Sequence, residues 1–246
     1  MSLPVMPLRR WSLRLQPLVL VALLSLLPMG LVACAADQKP LAMGCASSPS
    51  PCLSGTAVVS LDTSKGQVLL TLDGAAAPLT AGNFVDLVKR GTYNGTAFHR
   101  VVREPVPFVV QGGDPKSADA KVPVSEYGTG DFIDPATGEA RQIPLELKLN
   151  KEPQPRYGQP LSSAALNREL VLTHQRGAVA MARSNDPNSA SAQFYVALEA
   201  LPELDGRYAV FGRVTKGMDV IDRIQQGDRI VKASVMEGGT LVKGQP

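Results

Sequence analysis

Histidine and cysteine are scarce in this chain, and the common catalytic signatures are missing. Its 246 residues hold two histidines, His99 and His174, and three cysteines. Neither histidine has ligand-like spacing around it, so no metal centre is expected, nor any other cofactor. Asp131, Asp134 and Glu139 match no EF-hand order and read as a solvated turn rather than a calcium loop. There is no G-x-S-x-G elbow, no H-E-x-x-H and no phosphate-cradling glycine loop, which sets aside the chemistries those motifs carry. Net charge is equally uninformative. The formal +3 comes from Arg9, Arg10 and Arg14; from residue 34 onward 22 basic and 22 acidic residues cancel. A neutral body has no electrostatic footprint for nucleic acid.

What is present begins with a leader. "LRRWSLR" is basic, and no charge then appears from Leu15 to Ala36. The apolar run ends in "LVAC", which resembles the bacterial lipobox, in which a cysteine is lipidated after cleavage. The expectation is a signal peptide over 1–33 and a flexible linker over 34–55 that starts at a lipidated Cys34. The mature protein would be an exported, extracytoplasmic, membrane-anchored lipoprotein, in the periplasm or an equivalent compartment. The alternative is a transmembrane anchor, since the uncharged run is just long enough to span. "RRWSLR" also bears a faint resemblance to a twin-arginine export signal. Cys45 and Cys52 close a small loop if oxidised; two free thiols in a tether fit the sequence equally well.

From residue 56 the sequence reads as one domain. "TAVVSLDTSKGQVLLTLDG" alternates Ala57, Val59 and Leu61, then Val68, Leu70 and Leu72, about an "SKG" turn, which predicts a hairpin. "APLTAGNFVDLVKRG" changes period, with Thr80 as N-cap, a Phe84, Leu87, Val88 stripe and Gly91 as the stop. Strand-like runs follow at 97–102, 107–111, 178–182, 193–197 and 208–214. A second short helix fits "GMDVIDRIQQG", and "RIVKASVMEGG" closes as a strand. Many short strands with two helices argue for an antiparallel barrel or sandwich. Residues 115–176 hold seven of the twenty prolines and read as a long decorated loop, with "IPLELKL" as an edge strand and no periodicity able to fill a core.

The chemistry narrows by elimination to "AFHRVVREPVPFVVQGGD". Arg100 sits in a strand-like run with Phe98 and Val102 on its face by the period of two, and two glycines after Gln111 let another backbone pass close. In "SAQFYV", Gln193 and Tyr195 share one face, Phe194 and Val196 the other. Taken alone, Arg100 reads as a structural ion-pair partner, His99 as a hydrogen-bonded core histidine and Phe108 as a core side chain.

Three blocks, "FHRV…FVVQGGD", "GAVAMAR…PNSASAQFYV" and "LDGRYAVFGRV", resemble in order the signature blocks of the cyclophilin family of peptidyl-prolyl cis-trans isomerases, over about Val58 to Val242. The resemblance implies a mainly β fold, an eight-stranded antiparallel barrel capped by two α-helices, here with a long loop insertion at 115–176 absent from compact members. It implies that Arg100 is the catalytic arginine and that Phe108, Val109, Tyr195 and Leu204 form a proline pocket. Methionine and phenylalanine are usual at Val109 and Tyr195. Gln111 and Gln193 match polar groove residues, and Ala182 and Arg183 the edge that grips the peptide backbone. Tyr208 stands where many members have histidine, and Glu203 where many have tryptophan. The implied partners are proline-containing polypeptides, and the implied state is a monomer. A cyclophilin-fold binding or chaperone module with vestigial catalysis is the alternative.

Overall fold

Side-chain alternation builds the first hairpin. Strand β1 (Cys52–Thr63) pairs with β2 (Gly66–Asp73), setting Ala57, Val59 and Leu61 opposite Leu72, Leu70 and Val68, all six buried. The structure, a computed structural model, describes residues 44, 45 and 48–243; the expected signal peptide, the lipidated Cys34 and the start of the linker lie outside the described residues. The linker expected to reach residue 55 is too long. Cys52 and Leu53 are buried and already in β1, and Cys52 is disulfide-bonded to Cys45. The small, polar composition of this stretch hid its packing: a side chain at Gly82 would strike the backbone of Pro51 to Leu53. That glycine lets the incoming chain lie directly on the first helix.

Helix α1 (Pro78–Lys89) buries Phe84, Leu87 and Val88 as the stripe predicts. Its start differs from expectation. Thr80 is not the N-cap; the helix begins two residues earlier at Pro78, whose fixed φ and missing N–H suit a first turn. Ala77, at the N-cap position, supplies no side-chain acceptor. The N–H groups of Leu79 and Thr80 instead donate to Oε1 and Oε2 of Glu146, at 3.1 and 2.7 Å, from the insertion. At the other end, the amides of Gly91 and Thr92 donate to the carbonyls of Val88 and Leu87. Gly91 takes φ +72°, giving the left-handed stop that glycine favours.

The chain continues through β3 (Arg100–Val102), β4 (Val109–Gly112) and the insertion, which holds β5 (Glu146–Leu147), β6 (Arg156–Tyr157) and a one-turn α2 (Ala164–Asn167). It ends with β7 (Ala178–Met181), β8 (Phe194–Ala197), β9 (Val210–Lys216), α3 (Met218–Arg223) and β10 (Ile230–Val242). Eight strands form one antiparallel sheet in the order β10-β1-β2-β9-β7-β8-β4-β3. The segment before β3 brings its edges together: the amides of Gly95 and Phe98 donate to Ile230 and Asp228, and those of Ile230 and Gly227 to Thr96 and Phe98. Inside, Phe84 contacts the rings of Tyr93, Phe194 and Phe211 at centroid distances of 4.8 to 5.2 Å. Arg103 donates to the carbonyls of Ile221 and Ile224 and so ties off α3.

The insertion contributes more apolar surface than its proline-rich sequence suggests. Phe132 and Ile143 join the barrel core, and Leu145, Leu147, Leu149 and Leu170 form a smaller cluster with Ala209. Of "IPLELKL", only Glu146 and Leu147 pair as strand, against Tyr157 and Arg156.

Glu146 is 1 % exposed. Burial pushes its carboxyl above the usual carboxylate range, while hydrogen bonds from Thr80, Leu79 and Tyr157 oppose the shift. The folded chain therefore holds this proton more tightly than the unfolded one. The stability it contributes is fully present below the unfolded pKa and falls as pH rises through the folded pKa. Glu146→Gln does not titrate, so its stability relative to the wild type should rise as pH is raised from about 4.3 toward neutrality. Urea melts across that range check this; a difference that stays flat refutes it. Glu146→Ala, which strips two buried amides of their acceptor, should cost about 1–3 kcal/mol at the acid end of the range and less as pH rises.

Candidate active site

Strands β7 and β8 are buried on both faces, and β4 everywhere but at the half-buried Gln111, and that is what creates the site. Their inward residues, such as Val110, Val179, Phe194 and Val196, belong to the barrel core. Their outward residues Val109, Ala180, Tyr195 and Ala197 form a second cluster on the outer surface. Phe108, Ala182, Leu204 and Tyr208 pack against it. The Gln193/Tyr195 and Phe194/Val196 alternation of the sequence is thus realised as two opposite surfaces of one strand.

Register places the polar groups. Arg100 pairs with Gln111, Gln111 with Tyr195, and Tyr195 with Ala180, one row across four strands. The next row joins Val102, Val109 and Ala197. Paired residues share a face, so Arg100 stands on the outer surface beside the apolar cluster. Val102 lies with it, as the period of two predicts. Phe98 does not: it is fully buried in the barrel core. The alternation fails because β3 begins only at Arg100, the preceding segment being held by Asp228 and Ile230. Gly112 performs the expected close approach, since a side chain there would press on the Ala97 carbonyl.

A cavity of ≈ 290 Å³ opens on this surface, and every sequence-predicted catalytic and substrate-binding residue except Gln193 lines it. Gln193 lines an adjoining polar recess of ≈ 320 Å³, together with Gln111 and the insertion residues Thr129 and Asp131. The Arg100 guanidinium lies 5.6 Å from the Phe108 ring centroid. Its Nη1 donates a long bond of 3.4 Å to Gln111 Oε1. Among the described residues no carboxylate forms an ion pair with it, so most of its donors face the cavity uncommitted. Arg183 is different. Its guanidinium donates to the carbonyls of Arg207 and Ser184 and lies 4.5 Å over the Tyr208 ring, so it holds the cavity rim together.

A chain of hydrogen bonds supports Arg100 from behind. Gln111 Nε2 donates to Gln193 Oε1 at 3.3 Å, and Gln193 Nε2 donates to the carbonyls of Gly128 and Gly130. The amides of those two glycines donate to the buried Asp114 carboxylate at 2.5 and 3.2 Å. A side chain at Gly130 would overlap that carboxylate. His99 lies half-buried against Gly128, its imidazole pushed below the usual histidine range by burial while Asp114 opposes.

Two supporting residues escaped the sequence. His174 Nδ1 lies 2.8 Å from Asp205 Oδ1, and its Nε2 lies 2.9 Å from the Tyr195 hydroxyl. Burial keeps the imidazole below its usual range against the pull of Asp205, and pushes the Tyr195 phenol well up. Thirty-one positions separate His174 from Asp205, and no local pattern links them; the scarcity of histidine was the one available signal. Asp134, considered for calcium, is engaged by Arg141 at 3.0 Å.

Residues 58–242 match the family described as "Cyclophilin type peptidyl-prolyl cis-trans isomerase/CLD". A Synechocystis protein described as a putative thylakoid lumen peptidyl-prolyl cis-trans isomerase is 40% identical over 225 residues, 87% of this chain and 56% of that one. A chloroplastic peptidyl-prolyl cis-trans isomerase of Arabidopsis thaliana is 40% identical over 179 residues, 69% of this chain and 38% of its own length. The chain therefore spans about half the length, or less, of these two curated relatives. A Helicobacter pylori peptidyl-prolyl cis-trans isomerase is 34% identical over 180 residues and is covered to 86%. The crystal structure of a Cryptosporidium parvum cyclophilin-type isomerase superposes with a TM-score of 0.53 at 21% identity, over 74% of this chain and 99% of that one, a likeness of fold.

Asp114→Ala should loosen the 127–131 segment without unfolding the barrel. The Gly128 and Gly130 amides lose their acceptor, and about 1–3 kcal/mol of local protection goes with it. Amide exchange at those two positions is expected to speed up at least about fivefold, with Val110 and Val196 unchanged. Unchanged exchange at Gly128 and Gly130 refutes the role given to Asp114.

Proposed function

The chain belongs to the cyclophilin-type peptidyl-prolyl cis-trans isomerase family, and from that premise we propose that it catalyses rotation about X–Pro bonds and so assists protein folding outside the cytoplasm. The observation that carries this reading is the Arg100 guanidinium, most of its donors uncommitted, at the edge of an apolar cavity walled by Phe108, Val109, Tyr195 and Leu204.

Rotation of an X–Pro amide breaks resonance and meets a barrier of roughly 18–20 kcal/mol. No bond to carbon is made or broken, so neither a nucleophile nor an acid–base pair is needed. That agrees with a site that offers one permanent cation and apolar walls. In the twisted state the prolyl nitrogen becomes pyramidal and its lone pair accepts a hydrogen bond. Arg100 donates to it and thereby binds the twisted amide more tightly than either planar form. The apolar walls hold the proline ring and exclude water, which strengthens the guanidinium's field. Gln111 keeps the guanidinium at the rim, and the adjoining polar recess takes peptide groups preceding the proline.

The polar recess also favours a second reading, a peptide-binding or chaperone module, because the insertion supplies part of its wall. Arg100 separates the two, since a binding module has no use for differential stabilisation of a twisted amide. Arg100→Ala should cut kcat/KM on X–Pro peptides at least tenfold, with peptide affinity changed far less. Losing one donor aimed at developing charge costs roughly 3–4 kcal/mol. Arg100→Lys should recover only part of the rate, as an ammonium lacks the planar fork. Wild-type turnover in a folded Arg100→Ala protein would sink the isomerase mechanism.

An extracytoplasmic site of action is supported by the lipobox-like "LVAC", by the Cys45–Cys52 disulfide and by the thylakoid lumen description of the Synechocystis relative. Among the described residues no helix is long and apolar enough to cross a membrane. We assign the anchoring to lipid on Cys34, on the strength of the lipobox-like "LVAC". Cys34→Ala should move the protein from the membrane to the soluble fraction or leave an uncleaved precursor. Mass spectrometry of the mature N-terminus decides: a membrane-bound protein beginning at Met1, without lipid on Cys34, overturns the lipoprotein reading.

A further inference from the structure

A phenol in the wall of an apolar pocket must place its hydroxyl somewhere. Tyr195 lines the cavity, yet its oxygen lies 2.9 Å from His174 Nε2, and His174 is 1 % exposed and does not line the cavity. We infer that His174 is a positioning residue: by accepting the Tyr195 O–H it turns that hydroxyl into the protein, so that the pocket presents the ring alone to a proline. This rests on the cavity being the prolyl pocket.

The direction of the hydrogen bonds follows from the donor inventory. Asp205 Oδ1 accepts the His174 backbone N–H at 2.8 Å and lies 2.8 Å from Nδ1. A carboxylate only accepts, so Nδ1 carries the imidazole proton and Nε2 is left as an acceptor. The Tyr195 hydroxyl, which can donate or accept, must then donate. The two rings are nearly parallel, 13° apart with centroids at 6.0 Å, so Tyr195 is held in its plane as well as at its tip. Tyr208 meets it edge-on from the rim at 6.1 Å. The charged groups around the pair are Asp205 and Glu203 beside the imidazole and Arg183 beside the phenol.

Remove the imidazole and the hydroxyl needs a new acceptor. Water in the cavity is the nearest, and a proline ring entering the pocket must displace that water or leave a polar group unpaired. Binding of the planar substrate suffers, while the action of Arg100 on the twisted amide does not. His174→Leu should therefore raise KM for X–Pro peptides at least fivefold with kcat within about threefold of the wild type. Adding Tyr195→Phe removes the hydroxyl itself, and the double variant should recover KM to within about twofold.

A purely structural histidine would lower the melting temperature without this split, and the second substitution would not repair KM. An unchanged KM in folded His174→Leu, or a double variant that stays impaired in KM, overturns the inference. Should His174→Leu fail to fold, nitrogen NMR of the wild-type imidazoles still decides, helped by there being only two histidines in the chain. Protonation at Nδ1 with a hydrogen-bonded, unprotonated Nε2 supports the proposal; the opposite tautomer overturns it. The two levels fail separately. An Arg100→Ala protein with normal turnover condemns the catalytic reading, whereas normal Arg100 dependence with an unaltered KM in His174→Leu condemns this inference alone.

Discussion

The site depends on the register of three strands. Arg100, Gln111 and Tyr195 face outward together only because β3, β4 and β8 pair them in one row. A slip of one residue between β3 and β4 would turn the guanidinium into the barrel, where Phe98, Phe194 and Phe211 leave it neither water nor a counter-charge. That penalty protects the alignment. The same alternation that fills the barrel with Val110, Phe194 and Val196 delivers Val109 and Tyr195 to the outer surface, so core and pocket are two faces of one constraint.

Support for the row comes from outside the barrel strands. Asp114, at the end of the "QGGD" run, gathers the amides of Gly128 and Gly130, and their carbonyls hold Gln193. Glu146 performs a similar task for α1. The insertion is thus fastened by buried polar groups as well as by its own leucine cluster. Such fastenings are stringent, because each leaves a buried donor or acceptor orphaned if its partner is lost.

These fastenings also mark the limit of what the sequence made legible. The hairpin, the stripe of α1 and the two faces of β8 follow from periodicity, which is local. The cavity lining followed from resemblance to motif blocks in the right order. Three features resisted both routes. Thr80 looked like an N-cap because a threonine before an apolar stripe is a local signal, whereas the true acceptor lies 66 positions away. A period of two puts Phe98 on the face of Arg100, but it says nothing about where a strand starts. The His174–Asp205 contact joins the end of the insertion to the turn before β9, a pairing only tertiary structure creates.

Strand β1 has a mechanical meaning. It is the first strand among the described residues and is paired on both sides, to β10 along most of its length and to β2 from Thr56 onward. A pull on the chain preceding Cys45 meets the Cys45–Cys52 staple first, and then runs along β1 parallel to its axis. From Thr56 onward, hydrogen bonds on both flanks are loaded together in shear instead of being peeled open one by one. That geometry resists tension applied from the N-terminal side, and the groove lies on other strands, β3, β4, β7 and β8.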